Sequence, residues 1–147
     1  MIKINGIVCS LLLFAFACNS SATNDEAEIK SVLEKESATW RSGDIAAHAR
    51  CWHVQPYSRI LVSTTDGHTY DVPPQNIINP PRNQMDIGGT SKNSNYKFSI
   101  HQDYAWVSHD EESISAKGDT TYSYEMRMLE KINGEWKLVG QSIHLHK

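Results

Sequence analysis

The sequence is poor in cysteine, in long apolar runs and in excess charge, and each scarcity removes a class of protein. It has three cysteines in 147 residues. If residues 1 to 17 are removed, only Cys18 and Cys51 remain. With Cys18 accounted for below, no disulfide can form within the domain, so stability must come from the core. The apolar run from Ile7 to Ala17 is well short of the roughly 20 residues that span a bilayer. A net charge of −3 with scattered charges leaves no basic stripe, which argues against nucleic acid as a partner. No repeat or low-complexity tract occurs, and the length suits one core better than two.

What is present begins with "MIKINGIVCSLLLFAFACNSSATNDE". Lys3, the apolar run and the small residues near position 17 read as a signal peptide over residues 1 to 17. Two processing routes fit. "AFA" at 15 to 17 suits cleavage after Ala17 and release of a soluble protein. Cys18 followed by "NSSATNDE" suits a bacterial lipoprotein, with Cys18 lipidated and residues 18 to 24 as a polar tether. The lipoprotein route is favoured, since it gives Cys18 a use. It implies an exported, periplasmic or outer-membrane protein that meets the membrane only through its anchor.

The domain is expected over residues 25 to 147. Thr23 and Glu26 have capping-box spacing, which predicts a helix of about 18 residues stopped by Gly43. Ile29, Val32, Leu33 and Trp40 make its buried stripe, with Glu36 in the middle. Asp44 is a good cap for a short second helix carrying Ile45, Ala49 and Trp52 inward. "RILVSTTDGHTYDV" predicts a hairpin around Asp66-Gly67, and "PPQNIINPP" allows one or two helical turns. From Tyr96 the chain alternates as strands, the last two joined by Asn133-Gly134. This order predicts an α+β fold with about three N-terminal helices on one face of a curved antiparallel sheet.

In this order of elements, "WRSGDIAAHARCW", "DYAWVSHDE" and "MLEKINGEWKLVGQS" resemble the nuclear transport factor 2-like superfamily, in its SnoaL-like and ketosteroid-isomerase-like branches. The likeness covers roughly residues 25 to 145. It implies a cystatin-like α+β cone with an apolar pocket, often paired as a homodimer through the sheet. It does not imply one activity, because members include isomerases, dehydratases, cyclases, epoxide hydrolases and proteins without catalysis. Matched to the isomerase branch, Glu36 occupies the position of the oxyanion-binding tyrosine, the base position falls near Ile60 beside Ser58 and Arg59, and the acid position falls near Glu125. The base is lost, which argues against ketosteroid isomerisation by that route.

Glu36 is the sharpest single signal: a carboxyl on a buried stripe must be desolvated, paired or protonated. It is the candidate catalytic group, and the plainer reading is a pairing with Arg127. On the strand at 121 to 130, Tyr122, Tyr124, Met126 and Met128 share one face and Glu125 and Arg127 the other. The apolar face is expected inward. The expected pocket lining is Trp40, Trp52, Ile60, Tyr124, Met126, Ser142 and His144. Trp40, Trp52, Trp106 and Trp136 are read as core or cone wall. His144 and His146 have a spacing compatible with metal but no local third ligand, so neither metal nor cofactor is expected. Cys51 and His53 diverge around a helix, so Cys51 is assigned to packing.

The functional expectation is a cell-envelope domain that binds a small, largely apolar molecule. The alternatives are a non-catalytic dimerisation or protein-interaction module, and an acid-base isomerase, dehydratase or hydrolase using Glu36.

Overall fold

The computed structural model describes residues 20–147, with side chains from Asn24 onward. Cys18, the signal peptide and the choice between processing routes lie outside the described residues. The first helix, α1, runs Ser20–Ser42. It therefore starts three residues before Thr23 and takes in most of the segment expected as a tether. Its stripe is buried in two chemistries: Ile29 and Leu33 in the first half, Glu36 and Ser37 in the second. The core thus becomes polar toward the end of α1.

Gly43 ends α1 with φ +72°. Asp44 N donates to Thr39 O at 3.1 Å and Gly43 N to Trp40 O at 3.3 Å, the paired bonds of a glycine-terminated helix. The Asp44 side chain then accepts from Ala47 N at 2.9 Å and caps α2, Ile45–Ala49. One residue closes one helix and opens the next, and this fixes the angle at which His48 meets Glu36.

The remaining elements are β1 (Ile60–Ser63), β2 (Thr69–Val72), α3 (Gln75–Ile78), a 3-10 turn at Arg82–Gln84, β3 (Thr90–His101), β4 (Tyr104–Ile114), β5 (Thr120–Ile132) and β6 (Glu135–His146). They form a six-stranded sheet in the order β2-β1-β6-β5-β4-β3. Strands β3 to β6 are an antiparallel meander, β1 and β2 a hairpin, and β1 joins β6 in parallel. Asn133 (φ 51°) and Gly134 (φ 84°) make the two-residue turn between β5 and β6, the conformation that Asn-Gly favours in hairpins. Register shifts at Ser94/Lys97 and Met128/Leu129 bend the long strands around α1.

The core between α1 and the concave face joins Ile29, Leu33, Cys51, Trp52, Ile60, Val107, Leu129, Trp136 and Leu138. No helix among the described residues is long and apolar enough to cross a membrane. The structure is α+β, as expected, but it turns β5 the other way. Ser123, Glu125, Arg127 and Leu129 are buried, while Tyr124 (55% exposed), Met126 (37%) and Met128 (44%) face solvent. Trp106, expected in the core or wall, is 47% exposed on the same outer side.

Candidate functional site

The concave face and the end of α1 enclose a cavity of about 290 Å³. Trp40, Val62, Val72, Ile77 and Ile143 give it apolar walls. Glu36, Glu125, Arg127 and Gln141 give it a polar inner end, with Ser37, Arg41 and Glu111 alongside. The layout follows from the strand period. Residues directly opposite on paired strands share a face, and Arg127 pairs with Gln141 on β6 and with Val107 on β4.

Glu36 and Trp40 line the cavity. Trp52 and Ile60 are buried in the apolar core and are absent from the lining. Tyr124, Met126, Ser142 and His144 do not line it either. Tyr124 pairs with His144 and Met126 with Ser142, so placing one pair on the wrong face misplaces the other. The lining on β6 is Gln141 and Ile143, each one residue earlier than expected. Glu125, at the branch's acid position, does line the cavity, and Ile60 is a core residue with no acid-base capacity.

Arg127 sits at the centre of the polar end. Its Nη2 is 3.0 Å from Glu125 Oε2 and its Nη1 is 3.6 Å from Glu36 Oε2; Nη1 also donates to Gln141 Oε1. Burial opposes its charge, but the carboxyls of Glu125, Glu36 and Glu111 outweigh that and hold its pKa above the ordinary value. Burial pushes the Glu125 carboxyl upward against the pull of Arg127 and of a 2.6 Å bond from Ser123 Oγ. One guanidinium is shared by more carboxyls than it can neutralise.

Around this centre stand two buried histidines that the sequence did not single out. His48, on α2, is fully buried, with Nδ1 3.2 Å from Glu36 O and Nε2 3.7 Å from Glu36 Oε1. His109 lies directly across from Glu125, its ring 5.1 Å from that of Tyr96. Burial, helped by the charge of Arg127, lowers its pKa to about 4, and neither ring nitrogen has a partner among the described residues. On the flank, Arg41 Nη2 donates to Glu111 at 2.7 Å and to Ser113 at 2.6 Å, and its Nη1 donates to Ser37 Oγ at 2.7 Å. Their sequence signal was alternation: Glu111, Ser113, Ser123, Glu125 and Arg127 are polar at every second position on adjacent strands, a pattern that also describes a solvent face.

Glu36 differs from its neighbours. The residue is 7% exposed, and its carboxyl accepts no hydrogen bond among the described residues. Cys51 is buried, with burial first and Glu36 second raising its thiol pKa, and its Sγ donates to Ala47 O. His53 instead meets the Gln55 amide. Cys51 and His53 make no nucleophile-base pair. No group of three or more potential metal-binding side chains occurs among the described residues.

No family model matches the chain, and no curated protein does. Solved structures do. A nuclear transport factor 2-like protein of unknown function from Shewanella baltica superposes with a TM-score of 0.67 at 17% identity, covering 88% of this chain and 99% of its own. The fold is nuclear transport factor 2-like. A cystatin-like fold protein of unknown function from Nostoc punctiforme gives 0.65 at 14% identity, covering 84% and 92%. A putative scytalone dehydratase from Novosphingobium aromaticivorans gives 0.66 at 12%, covering 86% and 87%. At these identities the likeness extends to the nuclear transport factor 2-like architecture and not to an activity.

Proposed function

We propose that this nuclear transport factor 2-like domain binds one small, largely apolar molecule in its cone. The body of the ligand lies against Trp40, Val62, Ile77 and Ile143, and its polar end reaches Glu36 and Gln141. The observation that carries the reading is Glu36: its side chain is nine-tenths buried on the cavity wall, and its carboxyl accepts no hydrogen bond among the described residues. Unused polar capacity in a desolvated pocket is a cost unless a ligand uses it. The cavity is small, with room for about ten water volumes.

A thermal-shift screen of compact apolar metabolites against the purified protein tests this. A ligand at about 100 times its Kd adds about 2.7 kcal/mol of stability, and Glu36→Gln should reduce that shift. If no compound shifts the melting temperature of either form, the reading fails. Acid-base isomerase, dehydratase or hydrolase chemistry would rest on Glu36 as the proton-transferring group, and would appear as a turnover that Glu36→Gln abolishes while binding persists.

The exposed Trp106, Tyr124, Met126 and Met128 favour a second, compatible reading in which the outer sheet face joins a second copy of the chain. For the cell envelope, we propose the lipid-anchored exported form; membrane fractionation lost in Cys18→Ser is the outcome it requires.

A further inference from the structure

We propose that the polar end of the ligand is a cation, an ammonium group on a compact apolar body. The inference rests on the pocket reading above and follows from which charges in the pocket are already engaged.

Both guanidiniums on the cavity wall are committed. Arg41 is held by Glu111, Ser113 and Ser37. Arg127 is held by Glu125 and Gln141 and flanked by Glu36. The Nη atoms of both are taken up, and only the Nε of each lacks a hydrogen bond among the described residues. The carboxyls outnumber the guanidiniums: once Arg41 and Glu111 are paired, Glu36 and Glu125 share one guanidinium, that of Arg127. An anionic ligand would therefore meet a desolvated site with surplus negative charge, which costs free energy rather than contributing it.

The carboxyls at this end have acceptor capacity unused. Glu36 Oε1 is 3.7 Å from His48 Nε2 and Oε2 is 3.6 Å from Arg127 Nη1, both beyond hydrogen-bond distance. Glu125 Oε2, buried at the same end, lies 3.0 Å from Arg127 without a hydrogen bond. An ammonium brings three N–H donors and one positive charge, which matches both deficits. Trp40, one turn beyond Glu36 on α1, lines the same wall and offers an aromatic surface of the kind that attracts cations.

Burial already drives Glu125 toward its protonated form, so in the unliganded protein a proton partly offsets the surplus charge. A bound ammonium takes over that role. The other titratable groups facing this end are His48 from α2 and His109 and Glu111 from β4. His109 is held neutral at pH 7, Glu111 is engaged by Arg41, and His48 Nε2 stands 3.7 Å from Glu36 Oε1 without a hydrogen bond to it.

The test is a matched series of 2-phenylethylamine, 2-phenylethanol and 3-phenylpropionate, measured at pH 7 by calorimetry and thermal shift. The amine should bind at least about tenfold more tightly than the alcohol, a difference of about 1.4 kcal/mol, and the carboxylate should not bind. Glu36→Gln should bring the amine to the level of the alcohol, and Glu36→Asp should keep the preference. Equal or tighter binding of the alcohol, binding of the carboxylate, or an amine preference that survives in Glu36→Gln overturns the cation. If the alcohol binds and the amine does not, the charge inference fails and the pocket reading stands. If neither this series nor the wider apolar screen binds, both fail.

Discussion

Arg127 carries one positive charge between two carboxyls, with its side chain 6% exposed. Replacing it with methionine preserves bulk but leaves Glu36 and Glu125 buried without a counter-charge. Breaking a buried pair from one side typically costs about 3–5 kcal/mol. Urea denaturation of Arg127→Met should show a loss of that order, with most of it recovered when Glu125→Gln and Glu36→Gln are added. A single-variant loss under about 1 kcal/mol would mean that the cluster contributes little. His109 gives the pH dependence. Its pKa falls from 6.5 to about 4 on folding, so between those values the unfolded chain binds a proton that the folded chain refuses. Above 6.5 neither state is charged and the contribution is nil. As pH falls through the window stability is lost, by about 3 kcal/mol once pH reaches 4. Glu125 works in the opposite sense, because a raised carboxyl takes its proton up in the folded state first. Comparing wild type with His109→Phe isolates the histidine: the variant should lose less stability between pH 7 and 4, and parallel curves would refute the assignment.

At the scale of the element, the junction of α1 and α2 sets the site, because it holds Glu36 and His48 in contact across twelve residues of chain. Gly43 is needed there for two reasons. Its φ of +72° disfavours side chains, and an added Cβ would lie 3.0 Å from Ile87 Cδ1. Gly43→Ala should therefore cost about 1–2 kcal/mol, read as a lowered melting temperature, whereas Gly118→Ala, also at positive φ but with open space around it, should cost only the backbone part. This junction was legible in "RSGDIAAHA" because glycine stop and aspartate cap are local signals. So was the Asn133-Gly134 turn. The start of α1 was not: the helix continues to Ser20, and Thr23-Glu26 spacing is equally allowed inside a helix. The inward face of β5 was not legible either. Alternation shows that two faces differ but not which one is buried, and the rule that apolar residues point inward fails where the interior is a polar pocket with a compensating arginine. Choosing the Tyr/Met face placed Tyr124 and Met126 in the pocket; their cross-strand partners Ser142 and His144 stand on that same outer face.

For the whole molecule, the two faces of the sheet around the middle of β5 have exchanged the chemistry expected of them: Glu125 and Arg127 lie inside the cone, and Tyr124, Met126 and Met128 lie outside. The outer side presents Tyr104, Trp106, Tyr122, Tyr124, Met126 and Met128, and His146 stacks on Tyr124 at 4.1 Å. Strands of about 12 residues at ~3.3 Å each, four abreast at ~4.8 Å, make a face of about 750 Å², close to the ~800 Å² that each partner gives to a stable interface. A two-fold contact uses the same patch twice, and methionine adapts to an imperfect fit. Sedimentation velocity should therefore show a dimer at micromolar concentration, and Tyr124→Lys with Met126→Lys should give a monomer with an unchanged circular-dichroism spectrum. Because these side chains stand on the face opposite the cavity, the double variant should keep its ligand affinity within about twofold, a factor worth under half a kcal/mol. A wild-type protein that stays monomeric throughout would leave the outer face without this role. A dimer whose dissociation also abolished binding would mean that the pocket depends on the partner copy and is not complete within one chain.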